Sequence, residues 1–456
     1  MARQLAARGQ TTRIVTNNKY LQDQYMGYHF TRGDIPLLAK GRSNFLCNRD
    51  DVDPGTTADN APCTHGERCP LATADRPENI PCDYYRQLKS SDASRISVLN
   101  YPLYFAERNL PVPIFDTDVL IADEGHNIDQ QLIAASTVQL DSHDLRRLTS
   151  VKVRMPYVAE ALLKDTDVVA QAKRGLRMLE LEDDAEDARL MAKLSALINL
   201  QGKLAIAQGF RYAPVLPEDV ARRFISGVSK TVLMSATIFG HEYWRDRLAM
   251  PDAEYIDVPS TFPTERRPIY VMPVTRMGVR WWQDREAQQK MARAIDEVIA
   301  QNMGRKGIIH SVSYPLTKWI MENSSYAASG YLFEDAPGTE VIERWRASSF
   351  GVLVSPKVTE GVDLPGELCE FVVFPKVPFL SLGDKVVQLQ RNEIPGFYEQ
   401  KAMAAIVQGA GRGMRSKDDS CRTYILDTSW FGLRDSMWGA LPSWFTDAVV
   451  YLRKYD

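Results

Sequence analysis

Residues 119 to 129 read VLIADEGHNID, an apolar run that ends in two adjacent carboxylates, Asp123 and Glu124, followed by His126. An apolar run of this length bounded by polar residues predicts a fully buried strand, and acids at the C-terminal end of such a strand stand where open α/β sheets place their ligands. The usual chemistry there is that of a magnesium nucleotide. The first carboxylate would hold Mg²⁺, directly or through water, and the second would orient and deprotonate the water that attacks the γ-phosphate. An exposed Asp-Glu pair capping a strand-to-loop turn is the competing reading of the same letters. A nucleotide site of this kind normally has a phosphate cradle as well, G-x-x-x-x-G-K-[ST], whose backbone amides and lysine hold the phosphates. That motif does not occur in the 456 residues.

At 45% hydrophobic and 25% charged, the composition suits a globular protein large enough for two or three domains. The formal net charge of −3 and a pI near 6.2 give no global basic field, so nucleic-acid binding would have to come from local patches. Residues 1 to 46 offer one, with seven Lys/Arg against Asp23 and Asp34. No run approaches the roughly 20 apolar residues of a membrane span, and the N-terminus has no apolar signal-peptide core, so a cytoplasmic, membrane-free chain is expected.

Four of the six cysteines, Cys47, Cys63, Cys69 and Cys82, lie within 36 residues, separated by 15, 5 and 12 residues in a stretch rich in Pro, Asp, Asn, Gly and Thr. A cytosolic chain of this size does not need a disulfide framework. Zinc is one alternative, although the paired C-x₂₋₄-C knuckles of structural zinc sites are missing; the wider spacings fit an iron-sulfur cubane, and unliganded cysteines remain a third reading.

Reading outward from DEGH, further segments resemble helicase motifs in order. IVTNNKYLQDQY (14 to 25) resembles motif Ia, SVLNY (97 to 101) the segment after an iron-sulfur insertion, and MSATI (234 to 238) motif III. GIIHSVSY (307 to 314) resembles motif IV, TEGVDLPG (359 to 366) motif V, and QGAGRGMRS (408 to 416) motif VI. Together, over nearly the whole chain, they resemble the XPD/DinG family of superfamily 2 iron-sulfur DNA helicases, with DEGH in the place of the DEAH box. The resemblance implies an ATP hydrolase acting as a DNA helicase, moving 5′ to 3′ on single-stranded or forked DNA with ATP and Mg²⁺, as a monomer. It implies a [4Fe-4S] cluster on Cys47, Cys63, Cys69 and Cys82. By the same carry-over, Asp123, Glu124 and His126 join Gln408, Arg412 and Arg415 in catalysis, and Glu360, Gly361 and Asp363 couple nucleotide to DNA. Thr16, Asn17, Gln24, Asn100 and Tyr101 would touch the nucleic acid.

The residues agree in kind. Gln408, Arg412 and Arg415 sit at 0, +4 and +7, so a continuous helix would put them on one face, with Gly409, Gly411 and Gly413 allowing close approach. Arginine forks suit phosphate, and in the family the second RecA-like domain presents them to a nucleotide bound on the first. Ser235, Ala236 and Thr237 are small enough to link DEGH to moving parts.

The expected fold class is α/β, with two RecA-like P-loop NTPase-type domains built on parallel sheets. The first would comprise 1–46, 83–126 and 213–237, interrupted by an iron-sulfur insertion at 47–82 and a helical Arch-like insertion at 127–212; the second would span 238–456. Leu190, Leu194, Leu197 and Ile198 share one helical face behind the acidic run EDDAED. Residues 48 to 82 carry seven Asp/Glu against Arg49, Arg68 and Arg76, an acidic balance for a segment expected to meet phosphates. Trp281 and Trp282, like Tyr101 and Tyr104, are candidates for base stacking, with core packing as the competing fate.

The opening MARQLAARGQTTRIVTNN reads as helix, then turn, then strand, whereas a P-loop fold runs strand, cradle, helix, strand. The chain therefore reads as starting partway along the helix that the cradle would cap, some 30 to 50 residues late, roughly a strand, a loop and part of a helix. A late start, a split gene or a shortened protein would each give this pattern. The expectation is weak ATP hydrolysis by these residues alone, and the alternative function is a catalytically dead module that binds DNA or a partner.

Overall fold

The computed structural model describes residues 2–17, 22, 25, 37–65, 69–72, 76–109, 114–151, 153, 162–163, 165–182, 187–200, 202–207, 209–336, 341–357 and 368–452. The chain divides into two compact units. The first contains Met1–Ile238, Glu242–Ala253 and Ser381–Pro395, and the second Phe239–His241, Glu254–Leu380 and Gly396–Asp456.

The first unit is built on five parallel strands. β1 (Thr12–Thr16) is buried at all five positions, and β2 (Leu37–Leu38), β3 (Ile96–Asn100) and β4 (Val119–Asp123) join it. Their short apolar runs lack the alternation of a half-wet sheet, as expected when both faces are covered. Leu120 and Ala122 pack with Tyr104, Phe105 and Phe224, while Val119 and Ile121 meet Ile14, Ile96 and Val98. A basic residue in so apolar a strand needs acceptors. Arg13 is fully buried, and its guanidinium donates to the carbonyls of Ser94 (2.7 Å), Asp116 (2.9 Å) and Asp92 (3.1 Å) and to Ser97 Oγ (2.9 Å), so it leaves the basic patch expected at the N-terminus.

After β4 the chain forms an insertion with its own core. The helices Ser142–Ser150, Asp165–Glu182 and Ala188–Ile198 pack through Leu148, Val168, Ala172, Leu179, Leu190, Leu194 and Leu197. Helix was expected, but an antiparallel sheet is present too: β5 (Val138–Gln139), β6 (Leu162–Leu163), β7 (Leu204–Ala207) and β8 (Arg211–Pro214), in the order β5-β8-β7-β6. The turn joining β7 to β8 holds Gly209 at φ 73° and Phe210 at φ 55°. β9 (Lys230–Met234) then returns to the first sheet beside β4, giving the order β2-β3-β1-β4-β9, with β9 at one edge and half-exposed.

The second unit carries seven strands, every pairing parallel: β10 (Ile269–Thr275), β11 (Lys306–His310), β12 (Leu332–Glu334), β13 (Gly351–Ser355), β14 (Phe371–Phe374), β15 (Arg422–Asp427) and β16 (Val449–Tyr451). The order is β12-β13-β11-β14-β15-β10-β16. Successive residues face opposite sides. Ile308, Leu353, Val372 and Ile425 join the core containing Trp345 and Trp430, and Ile309, Val354, Val373 and Leu426 the core under the helix Arg285–Gln301.

Residues 381–395 fall inside the span expected for the second half, yet they pack in the first unit. Val386 and Leu389 of the helix Lys385–Glu393 meet Ala205, Ala213 and Val215 of the insertion's hairpin, and Gln390 Nε2 donates to the Val215 carbonyl (3.2 Å).

Candidate active site

β4 delivers Asp123 to the C-terminal end of the first sheet, half-buried, and burial together with the neighbouring Glu124 holds its carboxyl above the ordinary carboxylate range. Two groups fix this end of the strand: the Tyr101 hydroxyl donates to the Asp123 carbonyl (2.9 Å), and the Glu124 amide to Asp123 Oδ1 (3.1 Å). Glu124 takes the left-handed conformation (φ 51°, ψ 41°), a cost of order 1–3 kcal/mol for a residue that is not glycine, of the kind concentrated at functional sites. Gly125 follows, where a Cβ would come within 3.0 Å of Leu233 Cβ. The close approach of the DEGH turn to β9 is what the glycine permits.

β9 brings Ser235 and Thr237 to the same place. Ser235 Oγ donates to Glu124 Oε2 (3.3 Å), lies 2.8 Å from His126 Nδ1 and 3.0 Å from Thr237 Oγ1, and accepts from the Thr237 amide (3.2 Å). His126 Nδ1 is also 3.3 Å from Glu124 Oε2. Of the small residues expected to link DEGH to moving parts, Ser235 bonds the acid directly and Thr237 bonds Ser235. They lie more than 100 residues from DEGH, and the resemblance of MSATI to motif III is the signal in the sequence that joins them to it.

In the second unit, the helix Phe397–Ala410 ends before Arg412, with Gly411 at its C-cap. Gln408, Arg412 and Arg415 therefore do not share one helical face: Gln408 and Arg412 are half-buried on the helix and its turn, and Arg415 is exposed beyond it. The helix stops because the chain must turn tightly. A Cβ on Gly413 would run into the Cys369 carbonyl and Cys421, and one on Gly409 into the Phe374 ring. Gly411 has only ordinary contacts nearby. His310, at the end of β11, stacks on Phe374 (5.4 Å) and accepts from the Val312 amide at Nδ1 (3.3 Å). Burial, with Arg412 nearby, pushes its pKa down to about 4.

Among the other expected site residues, Thr16 is buried, and neither its hydroxyl nor Asn17 Oδ1 finds a partner among the described residues. Asn100 caps the helix Tyr101–Arg108 by accepting from the Leu103 amide (2.9 Å). Tyr101 and Tyr104 are core residues, which leaves no ring face open for a base. Gln24, Glu360, Gly361 and Asp363 lie outside the described residues.

None of the insertion's four cysteines is in a disulfide; Cys69 and Cys82 are buried, Cys47 and Cys63 half-buried. Burial pushes the Cys69 thiol up, and Cys63 and Cys82 are close enough to add to that. Arg42 Nη1 donates to Cys63 Sγ (3.3 Å) while its guanidinium lies over the rings of Tyr84 (4.6 Å) and Tyr85 (5.3 Å). Of the arginines expected to face DNA here, Arg49 is paired with Asp51, and Arg68 is outside the described residues. Among the described residues, the metal-ligating side chains that gather closely are Asp141, His143 and Asp144. Asp141 and Asp144 form a capping box on the helix Ser142–Ser150, and both are engaged by Lys193, so helix capping explains them.

Residues 299–448 match the helicase C-terminal domain family. No curated protein matches the sequence. Among solved structures, an XPD helicase aligns over 97% of this chain and 91% of its own, at 16% identity and a TM-score of 0.63. An apo XPD aligns over 97% and 92% (14% identity, TM-score 0.55), and S. tokodaii Xpd4 over 99% and 98% (13% identity, TM-score 0.53). Two parallel α/β units, a DEGH turn at the end of an inner strand and this likeness over nearly the whole length give one conclusion: the chain has the fold of the XPD helicases, and its residues 299–448 match the helicase C-terminal domain family.

Proposed function

We propose that this chain is an ATP-dependent DNA helicase of the XPD/DinG type, working 5′ to 3′ on single-stranded or forked DNA. The observation that carries the reading is the Asp123-Glu124 pair at the end of β4, with Glu124 held by Ser235 and His126. A half-buried carboxyl beside a second one, both next to hydroxyls, is a hard-oxygen donor set, and a cation would offset the burial and the carboxylate repulsion that raise the Asp123 pKa. Bound there with ATP, Mg²⁺ supplies charge neutralisation for the phosphates. Asp123 is the residue to hold it. Glu124 is the residue to orient water and take its proton, with Ser235 and His126 fixing the carboxylate so that no reorientation is needed in the transition state. On the second unit, Gln408, Arg412 and Arg415 supply the polar and cationic groups suited to phosphate, and Glu360, Gly361 and Asp363 the coupling role.

The insertion's cysteines fit a [4Fe-4S] cluster better than zinc. Structural zinc sites usually show paired C-x₂₋₄-C knuckles, whereas the separations of 15, 5 and 12 residues between these cysteines suit the corners of a cubane. Arg42, donating to Cys63 and braced by two tyrosines, is the kind of outer partner that stabilises an anionic cluster's sulfur. Iron and acid-labile sulfide measured on anaerobically purified chain test this: about four of each, lost in Cys69→Ser, are expected, and stoichiometric zinc would overturn it.

A second reading has its own observation, the absence of G-x-x-x-x-G-K-[ST] among the 456 residues. On that reading the chain is a catalytically dead module that binds DNA or a partner. ATP hydrolysis with and without single-stranded DNA, beside Asp123→Ala and Glu124→Gln, separates the two. DNA-stimulated turnover lost in both variants supports the motor; DNA binding with no turnover supports the module. Unwinding of duplexes with a 5′ or a 3′ tail then tests polarity.

A further inference from the structure

The turn that follows β10, residues 276 to 285, reads RMGVRWWQDR. It stands at the C-terminal end of a parallel sheet, the side on which such sheets bind ligands. Its two tryptophans divide the expected roles. Trp281 is core, packed edge-on against Trp319 (centroids 4.7 Å apart), whereas Trp282 is 44% exposed and Val279 beside it 88% exposed. An exposed indole usually moves; this one is braced. Its ring sits edge-on to Trp281 (5.2 Å), and Gln288 Nε2 donates to the carbonyls of Trp281 (3.1 Å) and Trp282 (3.0 Å) while its Oε1 accepts from Trp319 Nε1 (3.3 Å). The start of the turn is anchored as well, by the Met277 amide donating to buried Asp427 Oδ1 (3.1 Å).

The same turn carries Arg276, Arg280 and Arg285, all exposed and without a hydrogen-bond or ion-pair partner among the described residues. The nearby acids are engaged elsewhere: Asp284 accepts from the Ala287 amide (3.0 Å) as a helix cap, and Glu286 pairs with Lys290 (3.0 Å). Arg285 is the first residue of the helix Arg285–Gln301, where the helix dipole disfavours a cation, so helix stability does not explain it. A braced aromatic on one turn with several uncommitted guanidinium groups is the combination that holds single-stranded nucleic acid, by base stacking and phosphate contact.

We propose that Trp282 with Arg276, Arg280 and Arg285 forms a single-stranded DNA contact of the second unit, a base stacking on the indole and the arginines holding the flanking phosphates. It rests on the nucleic-acid reading above. The test uses the full chain and a 5′-labelled oligothymidylate of 20 nucleotides, followed by fluorescence anisotropy across a salt series. Trp282→Ala is expected to weaken binding about ten-fold at fixed salt, as loss of one stacked base does, with the salt slope unchanged. Trp282→Phe keeps most of the affinity. The triple Arg→Ala variant flattens the slope of log K against log salt by about two, near 0.7 per lost phosphate contact. Because these side chains are exposed, unchanged thermal melts should accompany all three variants. Wild-type binding with Trp282→Ala equally tight overturns this site alone, including the case in which the patch serves a protein instead. No binding by the wild-type chain overturns the site and the nucleic-acid reading together.

Discussion

His310 shows how one buried group sets a pH limit on the second unit. Its Nδ1 accepts from Val312, which leaves the proton on Nε2, and that atom has no partner among the described residues. Protonation would bury a full charge near Arg412, and the folded pKa falls to about 4 from an ordinary value of 6.5. A depressed pKa means that the stabilisation is complete above pH 6.5 and is lost as the pH falls toward 4. The loss amounts to about 3 kcal/mol across that window. Urea midpoints followed by near-UV signal from pH 7.5 to 4.5 should therefore fall steeply in the wild type, and less in His310→Gln; parallel curves would show that another group carries the acid sensitivity. Arg13 illustrates the converse, a charge retained in the interior because carbonyls surround it. Both residues are polar letters in apolar strands, and neither advertises its burial. The sequence analysis accordingly counted Arg13 toward a basic patch.

At the scale of elements, the turn after the helix Phe397–Ala410 depends on glycine where it crosses β14 and β15. Gly413→Ala would press a methyl group into the Cys369 carbonyl and Cys421, so the turn must move. A loss of about 1–3 kcal/mol is expected, the usual range for overpacking, read as a lower urea midpoint for the second unit; Gly411→Ala, with open surroundings, should be nearly neutral. A reversed ranking would mean that the turn is held some other way. The same element marks the limit of what the letters reveal. Spacing suggested one helical face for Gln408, Arg412 and Arg415, but helix termination is decided by what lies across the turn, and Cys369 and Cys421 are distant in sequence. The parallel strands were legible because full burial leaves uninterrupted apolar runs such as VLIAD and KGIIH. The hairpin LAIA-QGF-RYAP was missed, since its short strands sit among helical periods and its positive-φ Phe210 is an unusual turn residue. DEGH and the four cysteines stood out from residue type and order alone, while the Ser235 and His126 contacts required the sheet to form.

For the whole molecule, the interleaving of the chain ties the folding of one unit to that of the other. Ser381–Pro395 belongs to the first unit but is reached from Ala253 only by way of Glu254–Leu380, which is part of the second. While the second unit is folded, the ends of that excursion are fixed. When it unfolds, about 127 residues become a slack loop, and holding the helix Lys385–Glu393 on the hairpin then costs about 4 kcal/mol of closure entropy. The docking is modest: Val386 and Leu389 on the hairpin, the Gln390 bond, and two partly exposed ion pairs, Arg211–Asp384 (2.9 Å) and Lys203–Glu393 (2.7 Å), a kind of pair worth at most about 1 kcal/mol each. Loop entropy of that size is comparable with what these contacts supply, so the helix is expected to loosen. Gly413→Ala provides the means to unfold the second unit first. In urea just above that unit's midpoint, hydrogen exchange should show Lys385–Glu393 and the β7–β8 strands losing protection, while β1 and β4, which do not contain this segment, stay protected. Full protection of the helix and hairpin under those conditions would mean that the docking outweighs the loop, and that the insertion holds residues 381–395 without help from the fold they interrupt.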